Sequence, residues 1–387
     1  MIFDFDKIIN RVETDSVKYD GRLGYFGTED VIPLWVADMD FSAPNEVTRA
    51  LTERAKHPIY GYTLYSESLF SAMQNWFINR HHWSINRESI IMCPGVVPSL
   101  HAAILALTDE GDGIIVQSPV YFPFFSAVTK TKRSLILNPL QLDNKQYHFN
   151  LAHLEKCAAE GAKAILFCSP HNPVGRVWHQ DELEAVLGIV RQYGLTIISD
   201  EIHADLIFPD QQHIPLASLA TDVDIVTTVS PSKTFNIPGL GLSALVADKA
   251  ADRVAINQVF DSWHVSAANP FSIAAFEAGY RYGNTWLDAL MVYLNDTRIA
   301  VKDYLEQNLP EISLIDSEGT YLLWLDCRAM GLSDAELKRF FIEKASVGMS
   351  PGIIFGEAGR GFMRMNIATS RKVVFQALQQ IDKAISS

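Results

Sequence analysis

Lys233 closes the stretch Ser230-Pro231-Ser232-Lys233, and three other stretches of the chain carry groups of matching chemical interest. These are Ser118-Pro119-Val120-Tyr121, Ser169-Pro170-His171-Asn172-Pro173 and Asp200-Glu201-Ile202-His203. Taken singly, each residue has a plain structural use. Lys233 suits a solvated surface, Asp200 a helix cap, and Asn172 between prolines a turn. Tyr121 and His203 suit a core, and Ser230 and Ser232 an ordinary loop. Lys233 is not a phosphate-loop lysine, because Ser232 stands where that motif requires glycine. Taken together, an amine, a carboxylate, an imidazole, an amide, a phenol and two hydroxyls suit one cofactor, pyridoxal 5′-phosphate (PLP). Its aldehyde needs a lysine amine, and its pyridine nitrogen needs a carboxylate to stay protonated. Its phenolic oxygen needs a donor such as the Asn172 amide, and its ring needs an aromatic face such as Tyr121. Its phosphate needs hydroxyls and a helix N-terminus. The sequence CPGVVPS at 93–99 offers that helix start, with Gly95 allowing close approach and Pro98 suited to a first turn.

The elements that must position these groups follow from periodicity. GIIVQ at 113–117, AILFC at 164–168, LTIIS at 195–199 and IVTTV at 225–229 are short, continuous and β-branched, which predicts buried strands. Each chemical stretch begins directly after one of them. Leu183, Val186, Leu187 and Val190 recur at helical spacing between the second and third. Leu100, Ile104 and Leu107 do so after residue 98. Strands alternating with helices imply a parallel α/β sheet covered on both faces. Ligands bind at the carboxyl ends of such strands, so the four stretches converge on one rim.

Beyond about residue 280 the pattern changes. A long helix is expected from about 284 to 308, a half-buried strand in TYLLWLD at 320–326, and a helix opened by the capping box Ser333-Asp334-Ala335-Glu336. Another strand is expected in GFMRMNIA at 361–368, followed by a last helix. This is a second, α+β domain, and the first 45 residues, poor in helix signals, belong with it.

The bulk properties exclude several classes. With 387 residues, 48% of them hydrophobic, the chain is long enough for two or three domains. A net charge of −13 argues against binding a nucleic-acid backbone, although a local pocket can still hold a phosphate. Cys93, Cys157, Cys168 and Cys327 form no metal-binding spacing and are expected as free thiols in a reducing, cytoplasmic compartment. MIFDFDKIIN does not read as a secretion signal, and no apolar run is long enough to span a membrane.

DEIH at 200–203, SPSKTFNIPGLG at 230–241 and SPHNPVGRVW at 169–178 resemble fold-type I PLP enzymes. More narrowly, they resemble the MalY/PatB group of cystathionine β-lyases, which includes cystalysin-like C–S lyases. WVADMDF at 35–41, YGYT at 60–63, GVVPS at 95–99, SPVYFPFF at 118–125, EGTYLLWLD at 318–326 and GFMRMNIA at 361–368 extend the resemblance over nearly the whole chain. It implies a fold-type I PLP transferase of class α/β, with a large domain over 46–282 holding a mostly parallel sheet between helices. Residues 1–45 and 283–387 would form the smaller α+β domain.

The resemblance also implies roles. Lys233 carries the cofactor and moves protons, Asp200 pairs with the ring nitrogen, Asn172 bonds the phenolic oxygen, and Tyr121 stacks on the ring beside His203. Backbone N–H groups of Val96 and Val97, with Ser230 and Ser232, hold the phosphate. Tyr62 reaches the phosphate of the neighbouring subunit, so a homodimer is expected. Arg364 clamps the substrate carboxylate, a task suited to a forked guanidinium, near Asn172 and Ala37. Many aminotransferases have tyrosine where His203 stands and a phosphate-binding arginine where Gly241 stands, so both positions favour the lyases. Some C–S lyases have a second tyrosine where this chain has Phe122, which leaves the substrate range open. The implied reaction is β-elimination from an L-cysteine thioether such as cystathionine, giving a thiol, pyruvate and ammonia. An aminotransferase is the alternative, and a secondary role in binding a regulatory protein is a further one.

Overall fold

The computed structural model describes residues 3–386. Its larger sheet has seven strands: β1 Ile90–Cys93, β2 Gly113–Ser118, β3 Ser134–Pro139, β4 Ala164–Cys168, β5 Thr196–Asp200, β6 Ile225–Val229 and β7 Ser243–Ala247. Their order is β1-β7-β6-β5-β4-β2-β3. All four expected strands are present within a residue of their expected ends. The sheet is not wholly parallel, however: β7 runs antiparallel to both β6 and β1. The strands β1, β3 and β7 escape a search for long β-branched runs for separate reasons. β1 is four residues long, β7 is SALVA, rich in small residues, and β3 lies at the edge with much of its length exposed.

Side chains of the central strands alternate between two cores, as the period of two requires. Ile165 and Phe167 of β4 face one cluster, which holds Leu183, Val186, Leu187 and Val190 of the helix Gln180–Tyr193. Leu166 and Cys168 face the other, with Leu100 and Ile104 of the helix Val96–Leu107 and Ile256 and Phe260 of the helix Ala250–Trp263. All six aliphatic side chains named on Gln180–Tyr193 and Val96–Leu107 are buried. Each such side chain contributes roughly 1.5–3 kcal/mol on leaving water. The helix Gln180–Tyr193 stops at Gly194, whose left-handed φ of 65° closes its last turn and redirects the chain into β5.

A second, antiparallel sheet has four strands, β8 Ser313–Leu314, β9 Leu322–Asp326, β10 Ser350–Pro351 and β11 Phe362–Asn366, in the order β8-β9-β11-β10. The expected half-buried strand at 320–326 is β9, but it is almost wholly buried. Leu323 and Leu325 pack into one core while Trp324 packs into another, so neither face meets water. The helix Asn284–Asn308 matches its expected span. Ser333 and Glu336 form the expected capping box, each side chain accepting from the other's backbone N–H. In the N-terminal part, two short helices, Val17–Asp20 and Arg22–Phe26, precede Ile32–Pro33, which pairs in parallel with Val347–Gly348. That pairing places the early chain against the C-terminal part. No described helix is long and apolar enough to cross a membrane.

Candidate active site

A cavity of about 340 Å³ opens where β4, β5 and β6 end, and Tyr121, Asn172, Asp200, His203, Ser230, Ser232 and Lys233 all line it. Asp200 is the last residue of β5, and Lys233 follows β6 in the turn that Ser230 begins. The Ser230 hydroxyl donates to Leu242 O at 2.8 Å and accepts the Ser232 N–H at 3.1 Å, so it shapes that turn. The opposite wall is the start of the helix Val96–Leu107, with Val96 and Val97 on the cavity. Gly95, at φ 148° and ψ 164°, holds a backbone conformation that side chains avoid. The first N–H groups of a helix have no partner within it and carry its positive end, so this wall could hold an anion.

The electrostatics of the enclosed groups follow from their few partners. The Lys233 amine donates to Ala37 O at 2.6 Å. Burial lowers its pKa to about 8, against the upward pull of Asp38. Asp200 is buried, and among the described residues its carboxylate accepts only from the Ile202 N–H, at 3.2 Å. Burial raises it to about 7, although Lys233 pulls the other way. Burial lowers His203 to about 3, and the positive Lys233 and Arg364 add to that, so its imidazole is neutral. Its Nδ1 is buried without a partner. Buried polar groups are normally bonded, so these open positions mark a place for a polar guest.

Arg364 lies behind the cavity wall. Its guanidinium donates to Asn172 Oδ1 at 3.0 Å and to Trp35 O at 3.0 Å, and its Nε has no partner. Burial lowers its pKa to about 10. Because Arg364 occupies Asn172 Oδ1, the Asn172 amide nitrogen is the part left to donate elsewhere. Tyr121 is tied to the same loop by its N–H to Asn172 O, at 3.0 Å. Ala37 lines the cavity as well. Gly241 does too, at φ 52°, and a Cβ there would stand 3.4 Å from Pro94 O, so this turn favours glycine over a long side chain. Tyr62 is fully exposed and does not line the cavity of its own chain.

Sequence reasoning missed Tyr321 and Asp38. The Tyr321 hydroxyl donates to Ala37 O at 3.0 Å, beside the Lys233 amine. Tyr321 sits in a stretch that reads as ordinary strand, and its only signal was a hydroxyl in an otherwise apolar run. Asp38 sits among acidic neighbours with nothing to tie it to Lys233.

The model for aminotransferase class I and II proteins matches residues 29–381. The chain is 40% identical over 386 residues to cystathionine beta-lyase PatB of Bacillus subtilis, covering 99% of this chain and 100% of that one. It is 31% identical to protein MalY of Escherichia coli, covering 99% of each. Among solved structures it resembles PLP-containing cystalysin of Treponema denticola, with a TM-score of 0.97 and 36% identity over 100% of this chain and 99% of that one. A strand-end cavity with a buried amine, a buried carboxylate and a helix N-terminus on its wall, and likeness along its whole length, agree: the chain belongs to the aminotransferase class I and II family.

Proposed function

We propose that this chain is a PLP-dependent carbon–sulfur lyase that cleaves the Cβ–S bond of L-cysteine thioethers such as cystathionine, releasing homocysteine, pyruvate and ammonia. The observation that carries the reading is the joint presence, in one cavity of a chain 40% identical to a named cystathionine β-lyase, of Lys233, Asp200 and Asn172. The residues fit the cofactor. Asp200 is a buried carboxylate with one hydrogen bond, so a protonated ring nitrogen would supply its missing partner. The Asn172 amide nitrogen is free to donate, and the Val96–Leu107 helix start offers N–H groups to a phosphate.

When bound, PLP supplies an aldehyde that captures amines and a ring that draws off the electron pair left at the substrate Cα. Lys233 holds the cofactor before substrate arrives, and its freed amine then removes the Cα proton. A lowered amine pKa suits this, because a base works best near the ambient pH. Asp200 keeps the proton on the ring nitrogen. Val96, Val97, Ser230 and Ser232 hold the phosphate, Tyr121 and His203 flank the ring, and Arg364 with Asn172 and Ala37 orients the substrate carboxylate. Loss of the thiolate from Cβ leaves a three-carbon fragment that hydrolyses to pyruvate and ammonia.

The reading takes 46–282 as the cofactor-bearing domain and 1–45 with 283–387 as the smaller one. The pairing of Ile32–Pro33 with Val347–Gly348 supports that division. It takes the active unit as a homodimer, with Tyr62 of the partner subunit on the phosphate. The apolar side chains Ile59, Tyr60, Tyr62 and Leu64, exposed on one loop, suit such an interface. It places the protein in the cytoplasm, where its four free, buried cysteines stay reduced.

The test is product release from L-cystathionine by PLP-loaded protein, with and without an added α-keto acid. Equal amounts of pyruvate, ammonia and homocysteine without keto acid are expected. Turnover only with keto acid, and no free thiol, would replace the lyase with an aminotransferase.

A further inference from the structure

The segment Trp35–Phe41 is bonded along its backbone by side chains from distant parts of the chain. Trp35 O accepts from Arg364 Nη2 at 3.0 Å and from the Ser350 hydroxyl at 3.2 Å. Ala37 O accepts from the Lys233 amine at 2.6 Å and the Tyr321 hydroxyl at 3.0 Å. Asn366, two residues beyond Arg364 on β11, donates from one amide nitrogen to Val36 O at 2.6 Å and Asp38 O at 2.7 Å. Asn236, three residues beyond Lys233, does the same to Met39 O at 2.9 Å and Phe41 O at 2.8 Å. Its amide oxygen accepts the Met39 N–H at 3.0 Å. The segment is therefore stapled once from the Lys233 side and once from the Arg364 side.

Its two carboxylates enter a charged knot. Arg11 donates to Asp38 Oδ2 at 2.7 Å and Asp40 Oδ1 at 2.8 Å. Lys18, fully buried at 0% exposure, reaches Asp40 Oδ2 at 3.0 Å. The Tyr19 hydroxyl donates to the same oxygen at 3.1 Å, and Trp35 Nε1 donates to Lys18 O at 3.0 Å. Burying a lysine is costly unless its partner is held in good geometry, so an ordinary surface fastening would not take this form. Burial raises the proton affinity of Asp40, but Lys18 and Arg11 more than offset it and hold the carboxyl below its ordinary value.

We propose that Trp35–Phe41 is a positioning strap that fixes the Lys233 amine and the Arg364 guanidinium relative to each other, through the carbonyls of Ala37 and Trp35. Lys18 and Arg11 are the positioning residues that hold the strap in place. The inference rests on reading Lys233 as the reacting amine and Arg364 as the carboxylate clamp. A strap bonded to both has a consequence that a merely structural fastening lacks. Loosening it disturbs substrate binding through Arg364 and chemistry through Lys233 at once, whereas a folding defect only reduces the number of working molecules.

The experiment compares Lys18→Met and Lys18→Arg with the unaltered protein. Amide exchange of residues 36–41 is followed in the PLP-free and PLP-loaded forms, and kcat and KM are measured with L-cystathionine. In Lys18→Met, exchange over 36–41 is expected to quicken by about tenfold or more. KM should rise and kcat fall together, lowering kcat/KM by about 10- to 100-fold, as small misplacements of reacting groups do. Lys18→Arg should recover most of both. If Lys18→Met fails to fold, the double variant Lys18→Met/Asp40→Asn, which removes the carboxylate that has lost its Lys18 partner, carries the same test. An unchanged KM with reduced kcat, or unchanged exchange over 36–41, would overturn the strap. If the unaltered protein binds PLP but cleaves no thioether, the lyase reading fails separately. The rate of PLP uptake at Lys233 then replaces the kinetic arm, with slower uptake in Lys18→Met supporting the strap and equal uptake overturning it.

Discussion

Asp200 and Asp205 stand five residues apart, both buried, one lining the cavity and the other not. Their surroundings are opposite. Asp200 accepts one backbone N–H, and burial lifts it to about 7. Asp205 accepts from Trp76 Nε1 at 2.9 Å, His81 Nε2 at 2.7 Å and the Thr234 hydroxyl at 2.8 Å. Burial raises its proton affinity, but His81, the Arg80 charge and the Thr234 hydroxyl more than offset it and hold it below the ordinary carboxylate value. Burial also lowers the proton affinity of His81, against the upward pull of Asp205. The lysine turn repeats the division: Lys233 faces the cavity while its neighbour Thr234 faces Asp205. The difference teaches where to look for function. A buried charge whose needs are met inside the protein is a fastening, and one left short is waiting for a ligand.

The comparison can be broken most forcefully at the cavity. Lys233→Ala should lower thioether cleavage by about 10⁴-fold or more, since a positioned proton transfer alone is worth about 10²–10⁴-fold. It should also abolish the visible absorbance of PLP held at a lysine, and absorbance that persists unchanged would remove Lys233 from its role. Asp200→Asn should lower kcat/KM by about 10²–10³-fold, the scale of losing one preorganised electrostatic partner. In the PLP-free protein the same change should not destabilise the fold, because it relieves an unmet charge. A marked fall in its melting temperature would place Asp200 among the fastenings.

At Asp205 and Thr234, outside the cavity lining, the expected effects are on stability. Asp205→Ala leaves three donors without their acceptor and should cost about 1–3 kcal/mol or more, while molecules that stay folded keep most of their activity. Denaturant unfolding alongside active-site titration separates the two quantities. Thr234→Val removes one bond and should cost only about 0.5–1.5 kcal/mol.

Acid dependence sharpens the same contrast, with opposite signs. The folded-state pKa of Asp200 is raised, so the folded protein binds the extra proton between about 4 and about 7. Its contribution to stability in the PLP-free protein therefore falls as pH rises through that window, and Asp200→Asn should flatten the decline. Asp205 is shifted downward, so its contribution is present above the ordinary carboxylate range and is lost as pH falls through its lowered value. A matching pair of melting series across pH 3 to about 8 would show one slope vanish in each variant.

The rim of the large sheet could be read from the chain because strand ends are a local signal. Lys233, Asp200, Asn172 and Tyr121 each follow an apolar run that can hardly be anything but a buried strand, and the carboxyl ends of such strands share one edge. The strap could not be read in this way. Ala37 and Lys233 meet across 196 residues of chain, and Asn172 and Arg364 across 192. No periodicity spans such distances. Lys18 in sequence is a lysine in a polar stretch, for which solvent exposure is the ordinary expectation, yet it is buried against Asp40. The antiparallel β7 escaped for a different reason: its small side chains carry little hydrophobic signal, and its direction is set by pairing with β6 and β1.

By itself, then, the sequence determined which groups stand at the ends of β4, β5 and β6, since local hydrophobic periodicity sets the strands and the residues after them. Only the tertiary structure decided which of the buried charges are satisfied. That depends on donors brought in from elsewhere in the fold, as Trp76 and His81 come to Asp205 and, among the described residues, none but Ile202 comes to Asp200, and solvation of a charge is decided by everything that surrounds it in space.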